Sequence, residues 1–398
     1  MNQPVAGVTL DGRRTSSTYG LRRTPTVQSM YGTRSMFADR SLIRYTNAPF
    51  GSSMRRDAIV KQGDTMSRDL EINGLLTAPM RVGLALGLLA TGLFAALPAA
   101  QATENGTTHY PVGVNTVGDG YMPLPGTLSW RNYTLVQWSG TLADDSGDEE
   151  LPGYGLNAEV NAARFLYTFK QPIGPFHYSI GAVLTLVHNH LDIGPMSDQA
   201  TGLDDMDFQN YLSWHSPDER LFIYSGLDIY APTGRYDADD LANVGKNYWS
   251  FDPSINLTYH ATDKLTLESA VYAEFNTKNS ATRYQSGNSV DWDYAANYQP
   301  FVNRSPDDFA QHLAFGIQGY LLRQFSDDEQ FGETVGPDGH RAEAFAIGPQ
   351  VIYNTRFGGA ALKWQHDFGV RNRAEGDTVW VQFAVPLLGT ATHVGPHS

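Results

Sequence analysis

Between Trp249 and Asn276 the chain alternates with a period of two. Trp249, Phe251, Pro253, Ile255, Leu257 and Tyr259 fall on one side, and Ser250, Asp252, Ser254, Asn256, Thr258 and His260 on the other. A strand sorts two such sets onto opposite faces, whereas a helix scatters them around its circumference. Ala261–Lys264 supplies a short polar turn, after which Leu265, Leu267, Val271, Ala273 and Phe275 oppose Thr266, Glu268, Tyr272, Glu274 and Asn276. Strands in soluble sheets run to about 5–6 residues. These are longer, and suffice to cross a bilayer at a tilt, which takes about 9–11. One face is apolar with aromatics near its ends, and the other is polar and carries carboxylates, the pattern of a wall with lipid outside and water inside. A soluble sandwich produces a similar pattern in any one hairpin, so the rest of the chain has to decide.

The same period recurs in spans 127–139, 156–170, 176–192, 205–216, 220–233, 247–261, 265–279, 289–301, 309–325, 342–356, 360–373 and 377–388. In 176–192, Tyr178, Ile180, Ala182, Leu184 and Leu186 oppose Ser179, Gly181, Thr185 and Asn189; in 289–301, Val290, Trp292, Tyr294 and Tyr298 oppose Asp291, Asp293, Asn297 and Gln299. Span 156–170 is less regular. Its phase slips near Ala162–Ala163, one reading turns Arg164 toward lipid, and a bulge would repair it. Connections 140–155, 193–204, 234–246, 280–288 and 326–341 are mostly long, polar and acidic, while Gln171–Pro175, Ser216–Glu219, Ala261–Lys264 and Arg356–Gly359 are short. Sorting of loop length by parity is expected of an outer-membrane barrel and has no cause in a sandwich. The expectation is a transmembrane antiparallel β-barrel of about 12 strands over 127–388, with both termini at the periplasmic end.

Composition divides the chain. Up to Ala102 it carries twelve basic and six acidic residues; beyond, sixteen and thirty-six, within a formal net charge of −14. Residues 1–79 are rich in Arg, Ser and Thr without a sustained period, as in a disordered or mis-called N-terminal extension. Residues 80–102 have the form of a signal peptide: Met80-Arg81, an apolar run from Val82 to Leu97, and Ala100-Gln101-Ala102 placing small residues where a signal peptidase reads. Translation from Met80 and a mature start near Thr103 follow from this. A Gly/Pro-rich lead occupies 103–126, and 389–398 forms a flexible tail. Mean hydropathy is −0.34, compatible with a membrane barrel because half of each strand faces water. There is no cysteine, hence no disulfide or thiolate metal site. The acidic balance excludes nucleic acid as a partner, since phosphate binding needs clustered Lys and Arg.

Leu227-Asp-Ile-Tyr-Ala-Pro-Thr-Gly-Arg-Tyr236 and Leu241-Ala-Asn-Val-Gly-Lys-Asn-Tyr-Trp-Ser-Phe-Asp-Pro-Ser-Ile255 resemble segments of the meta-pathway phenol-degradation family of bacterial outer-membrane proteins. So do Pro123–Gly126, Asn276–Tyr284, Gly319–Gln324 with Asp327-Asp328, and Ala346–Gln350. The resemblance covers about 110–388. It implies an outer-membrane barrel that passes small hydrophobic or aromatic compounds, and it brings no catalytic residues. It also implies outer-membrane lipid, lipopolysaccharide and the barrel-assembly machinery as partners. Many such barrels end on an aromatic that this machinery recognises; here Gly389–Ser398 follows the last strand, so either Phe383 within the strand serves or the tail is tolerated.

The lumen-facing candidates are Asp252, Asn256, His260, Glu268, Tyr272, Glu274, Asp291, Asp293, His312, Gln318, Tyr320, Lys363, Gln365, Asp367 and Trp380. Charges of this kind need water or partners, because facing lipid costs about 2–4 kcal/mol for a mid-depth Arg or Lys and less for Asp or Glu. Two readings follow: an open polar pore that disfavours anions, with Tyr272, Tyr320 and Trp380 offering aromatic contacts to a planar solute, or an ion-paired core that fills a narrow barrel. The second makes the protein a closed structural or adhesive barrel. Outer-membrane phospholipases also have twelve strands, but esterase chemistry needs a nucleophile beside an oriented His. The one close pair, His188-Asn-His190, has no Ser between and lacks that family's flanking pattern. It also lacks a third metal ligand. No enzyme activity, cofactor or metal is expected.

Overall fold

The computed structural model describes residues 106–355 and 358–388. The extension 1–79, the signal-type segment 80–102 and the tail 389–398 lie outside the described residues. The twelve alternating segments become twelve antiparallel strands: β1 (Leu128–Ala143), β2 (Tyr154–Ile173), β3 (Phe176–Ile193), β4 (Met206–His215), β5 (Leu221–Ala231), β6 (Ser250–His260), β7 (Leu265–Asn276), β8 (Ser289–Tyr298), β9 (Leu313–Gln324), β10 (Glu343–Thr355), β11 (Gly358–Arg371) and β12 (Arg373–Leu388). Each pairs with its sequence neighbour, and β12 closes onto β1 from Leu128↔Leu388 to Ala143↔Arg373. Closure leaves no unpaired edge, which is what a sheet in hydrocarbon requires. The described residues contain no α-helix.

The outward face is apolar and exposed over most of the circumference, including Ile255 and Leu267 on β6–β7, Ile317 on β9, Leu362 on β11 and Val381 on β12. Trp249, Trp292, Phe345 and Phe368 lie toward the end where the long connections emerge (the upper end), and Tyr259, Tyr298 and Phe315 toward the other. Two aromatic belts bounding an apolar band are the signature of a membrane-spanning barrel.

Three features depart from the sequence reading. Connection 193–204 is not irregular: Met196–Leu203 forms a strand that folds back on Leu186–Ile193, extending β3 beyond its pairing with β4. The β8–β9 connection at the lower end is long and holds a 3-10 turn, Phe309–His312. The described chain also starts at the upper end. Gly106 lies against Asn372 and Arg373, the junction of β11 and β12, and the lead descends to Gly126, whose amide bonds Thr168 low on β2. The described lead thus begins at the upper end and passes through the barrel before β1 starts at the lower end, while the N-terminus itself lies outside the described residues.

Candidate functional site

Residues 106–126 run down the inside of the barrel and have little secondary structure of their own. Their backbone groups must find partners in the wall, and the inward carboxylates and amides provide them. Glu274 accepts from the amides of His109 (2.8 Å) and Tyr110 (3.1 Å). Asp293 accepts from the amides of Gly113 and Asn115 (2.7 Å each) and from the Tyr110 hydroxyl (2.8 Å). Lower down, Glu268 accepts from the amides of Gly118 (3.0 Å) and Asp119 (3.1 Å). Lys363 Nζ donates to the carbonyls of Gly113 (2.5 Å) and Val114 (2.8 Å) and to Thr116 Oγ1 (3.0 Å). Gln365 and Gln382 donate to the carbonyls of Gly113 (3.0 Å) and Val114 (2.9 Å). The glycines of the lead now have a reason. A Cβ at Gly120 would stand 2.2 Å from the Phe222 carbonyl, and one at Gly113 2.4 Å from Gln365 Nε2.

The upper end of the lead is latched through His109. Its Nδ1 lies 2.6 Å from Ser250 Oγ and its Nε2 2.9 Å from Asp205 Oδ2. Burial raises the Asp205 carboxyl, but bonds from the His109 ring and from the amides of Lys246 and Gly234 outweigh it and hold Asp205 below the usual carboxylate range. An acid–histidine–serine row suggests a hydrolase at first sight. Ser250, however, is fully buried and donates its hydroxyl hydrogen to Asn276 Oδ1 at 2.5 Å, so the row fastens the lead.

The remaining sequence candidates fall as follows. Tyr272 stacks on Tyr110 at 4.0 Å between ring centroids. Trp380 donates to Gln365 (2.7 Å) and carries the Lys363 ammonium 4.9 Å from its ring centroid. Gln318 accepts from Gln365 (2.7 Å), and Tyr320 donates to Asp367 (2.6 Å). His260 Nε2 meets the Tyr121 hydroxyl at 2.6 Å, and Asn256 donates to Ser254 at 3.2 Å. Asp252 and Asp291 are buried on the inner face, with no hydrogen-bond partner on either carboxylate oxygen. His312 stands apart: it belongs to the 3-10 turn before β9, and its Nε2 lies 2.9 Å from the Pro306 carbonyl at the lower rim.

The lead leaves one side of the lumen free. Between it and β1–β3 lies a cavity of about 370 Å³. Its walls are Leu135, Leu156, Val160, Ala162, Val183 and Val187, with Tyr272, Tyr320 and Trp380 on the lead's side. The roof is an apolar cluster of Leu191, Ile193 and Ala242 backed by Leu151, Tyr154 and Leu241. At the floor stand Tyr133, Arg164 and Gln209. Below them Met122 of the lead packs with Leu166, Tyr211 and Tyr224 in a buried plug.

Arg164 corrects the reading of span 156–170. There is no slip or bulge at Ala162–Ala163; the register with β1 and β3 runs unbroken there, and Arg164 points inward at 4 % exposure. What irregularity suggested is an inversion. On upper β2 the inward residues are apolar (Leu156, Ala158, Val160, Ala162), whereas Asn157, Glu159 and Asn161 face outward and are exposed. Asn161 exchanges amide bonds with outward Asn132 of β1 (3.1 and 3.2 Å) and donates to Thr134 (2.7 Å), so these polar groups satisfy one another. The signal was legible: the period stays intact while the two faces exchange character.

A family model described as "Putative MetA-pathway of phenol degradation" matches residues 139–383. Among solved structures, the chain is similar to an outer membrane channel from Pseudomonas putida F1, at 16% identity and a TM-score of 0.59, covering 68% of this chain and 98% of that one. The NanC porin aligns at 12% identity over 65% of this chain and 98% of its own, with a TM-score of 0.33, too low to carry an argument. No curated protein sequence matches the chain.

Proposed function

Because the chain belongs to the MetA-pathway phenol-degradation family, a family of outer-membrane barrels, we propose that it is a passive outer-membrane channel for small hydrophobic or aromatic molecules, delivered there by a cleaved signal peptide. The observation that carries this is the apolar cavity on the β1–β3 side. A lumen serving only ions or sugars has no use for an apolar-walled compartment of solute size, and apolar burial is what draws such a solute out of water. The long connections lie outside the cell in this reading, as their length demands. Solute enters under the Leu191–Leu241 roof, occupies the cavity, and leaves downward when the Met122 plug shifts. The chemistry needs no energy source, only a gradient. The channel of Pseudomonas putida F1 lends the fold, and the family description lends the substrate class.

A second reading, a closed structural barrel, draws on the density of bonds between lead and wall. Proteoliposome uptake decides. Met122→Cys with Leu166→Cys, in a chain that has no other cysteine, would tie the lead to β2. Toluene flux should stop on oxidation and return on reduction. A folded, inserted barrel with no flux in either state would leave the closed reading standing.

A further inference from the structure

The cavity floor is polar under apolar walls, and its polarity is of two kinds. Arg164 forms no ion pair with any carboxylate among the described residues. Its Nε donates to Gln209 (2.7 Å) and its Nη2 to Tyr211 (3.1 Å). Each of these passes the contact onward: Gln209 donates to Asp207 (2.5 Å), and the Tyr211 hydroxyl donates to Asp228. The guanidinium is thus oriented through two intermediates instead of being quenched by direct contact. Its Nη1 is left with one long contact of 3.5 Å to the Tyr133 hydroxyl. Beside it, Asp207 also lines the cavity; it is 3 % exposed, and its Oδ1 has no hydrogen-bond partner.

The geometry points to a specificity site in which Arg164 Nη1 donates to, and Asp207 accepts from, one hydroxyl group carried by an apolar solute, with Tyr133 closing the third side. The inference rests on the channel reading and narrows it: the favoured solute is a compact alcohol or phenol, selected over both its hydrocarbon and its carboxylate counterparts. A hydroxyl both donates and accepts, so it satisfies both under-bonded groups. A hydrocarbon satisfies neither and leaves their desolvation uncompensated. A carboxylate can accept from Arg164 but brings no hydrogen for Asp207, and its own charge loses its hydration on entering an apolar-walled cavity. The walls suit a ring, with Val160, Val183 and Leu135 around it and Tyr272 and Trp380 on the opposite side.

The experiment measures binding of phenol, toluene and benzoate to the full barrel in detergent, by calorimetry or quenching of tryptophan fluorescence, with proteoliposome uptake of the same three compounds. Wild type should bind phenol at least about tenfold more tightly than toluene, with benzoate weakest. Arg164→Gln should erase the preference of phenol over toluene without weakening toluene. Asp207→Asn, nearly isosteric, should narrow the gap between phenol and benzoate. Heat-modifiable mobility on gels verifies that each variant is folded. Equal wild-type binding of phenol and toluene overturns the inference while leaving the channel proposal intact, and so does parallel loss of both in Arg164→Gln. Absence of binding and uptake for all three compounds removes the channel proposal and the inference with it.

Discussion

Two sectors of the same wall treat water and oil in opposite ways. On β6–β8 the inward residues are mostly polar or acidic and the outward ones mostly apolar, as the alternation from Trp249 to Asn276 announces, and Glu268, Glu274 and Asp293 hold the lead by its backbone. On upper β2 the polarity is exchanged: the inside is apolar, and Asn157, Glu159 and Asn161 face out. One sector grips a polypeptide, which presents N–H and C=O groups. The other bounds a space whose occupant must be chiefly apolar. The period of two decides that a strand forms, and the identity of its inner face decides what the strand is for.

The comparison breaks most visibly if the grip is removed. Deleting residues 107–126 should turn a nearly silent barrel into one with steady ion conductance in planar bilayers, since the polar face of β6–β8 is then hydrated. A folded deletion barrel that remains silent would show that the lead is not what fills the lumen. The double substitution Glu268→Gln, Glu274→Gln should have a smaller effect of the same kind. It weakens four bonds to the lead, each worth about 1 kcal/mol, so intermittent current and faster protease cleavage of the lead are expected. A steady current altered only in cation preference would mean that those carboxylates line an open path instead.

In the other sector the effect should fall on solute alone. Val160→Asn places an amide in the cavity wall at a cost of about 1–3 kcal/mol to an apolar occupant. Toluene uptake should drop roughly tenfold, with conductance unchanged. An ion current appearing together with the loss of uptake would deny that the two sectors act separately. Smallest of all, Asn161→Leu removes an outward amide and leaves Asn132 under-bonded while gaining apolar contact with lipid. The net change in stability should stay within about 1 kcal/mol by denaturant unfolding in liposomes. A much larger loss would mark the outward polar patch as a contact surface.

The barrel itself was legible because each strand's pattern is local: twelve spans read from periodicity meet the twelve strands within a few residues at most ends. The grip was not. That Glu268 or Lys363 points inward follows from alternation, but that Gly113, Val114 and Gly118 meet them does not, because those contacts join positions more than a hundred residues apart. The Gly/Pro-rich composition of the lead reads as a loose linker, since glycine marks turns and close approach equally. Arg164 reads as outward from sequence for a related reason: where the inner face turns apolar, the pattern is the same as that of a phase error. His312 lies outside the lumen because the first four residues of span 309–325 form a 3-10 turn, to which strand alternation does not apply.

The pairing of β12 with β1 encircles the lead completely. A ring closed around a thread is mechanically interlocked, like a rotaxane, and the thread is covalently joined to the ring at one end only, where Gly126 runs into the wall. Its other end, at Gly106, emerges on the side of the long connections. The lead can therefore slip downward only by drawing whatever precedes Gly106 through the barrel. A chain processed near Thr103 carries three residues to draw; one retaining a folded domain or a bulky tag carries a stopper. In this topology the bulk of whatever precedes Gly106 sets how far the thread can travel.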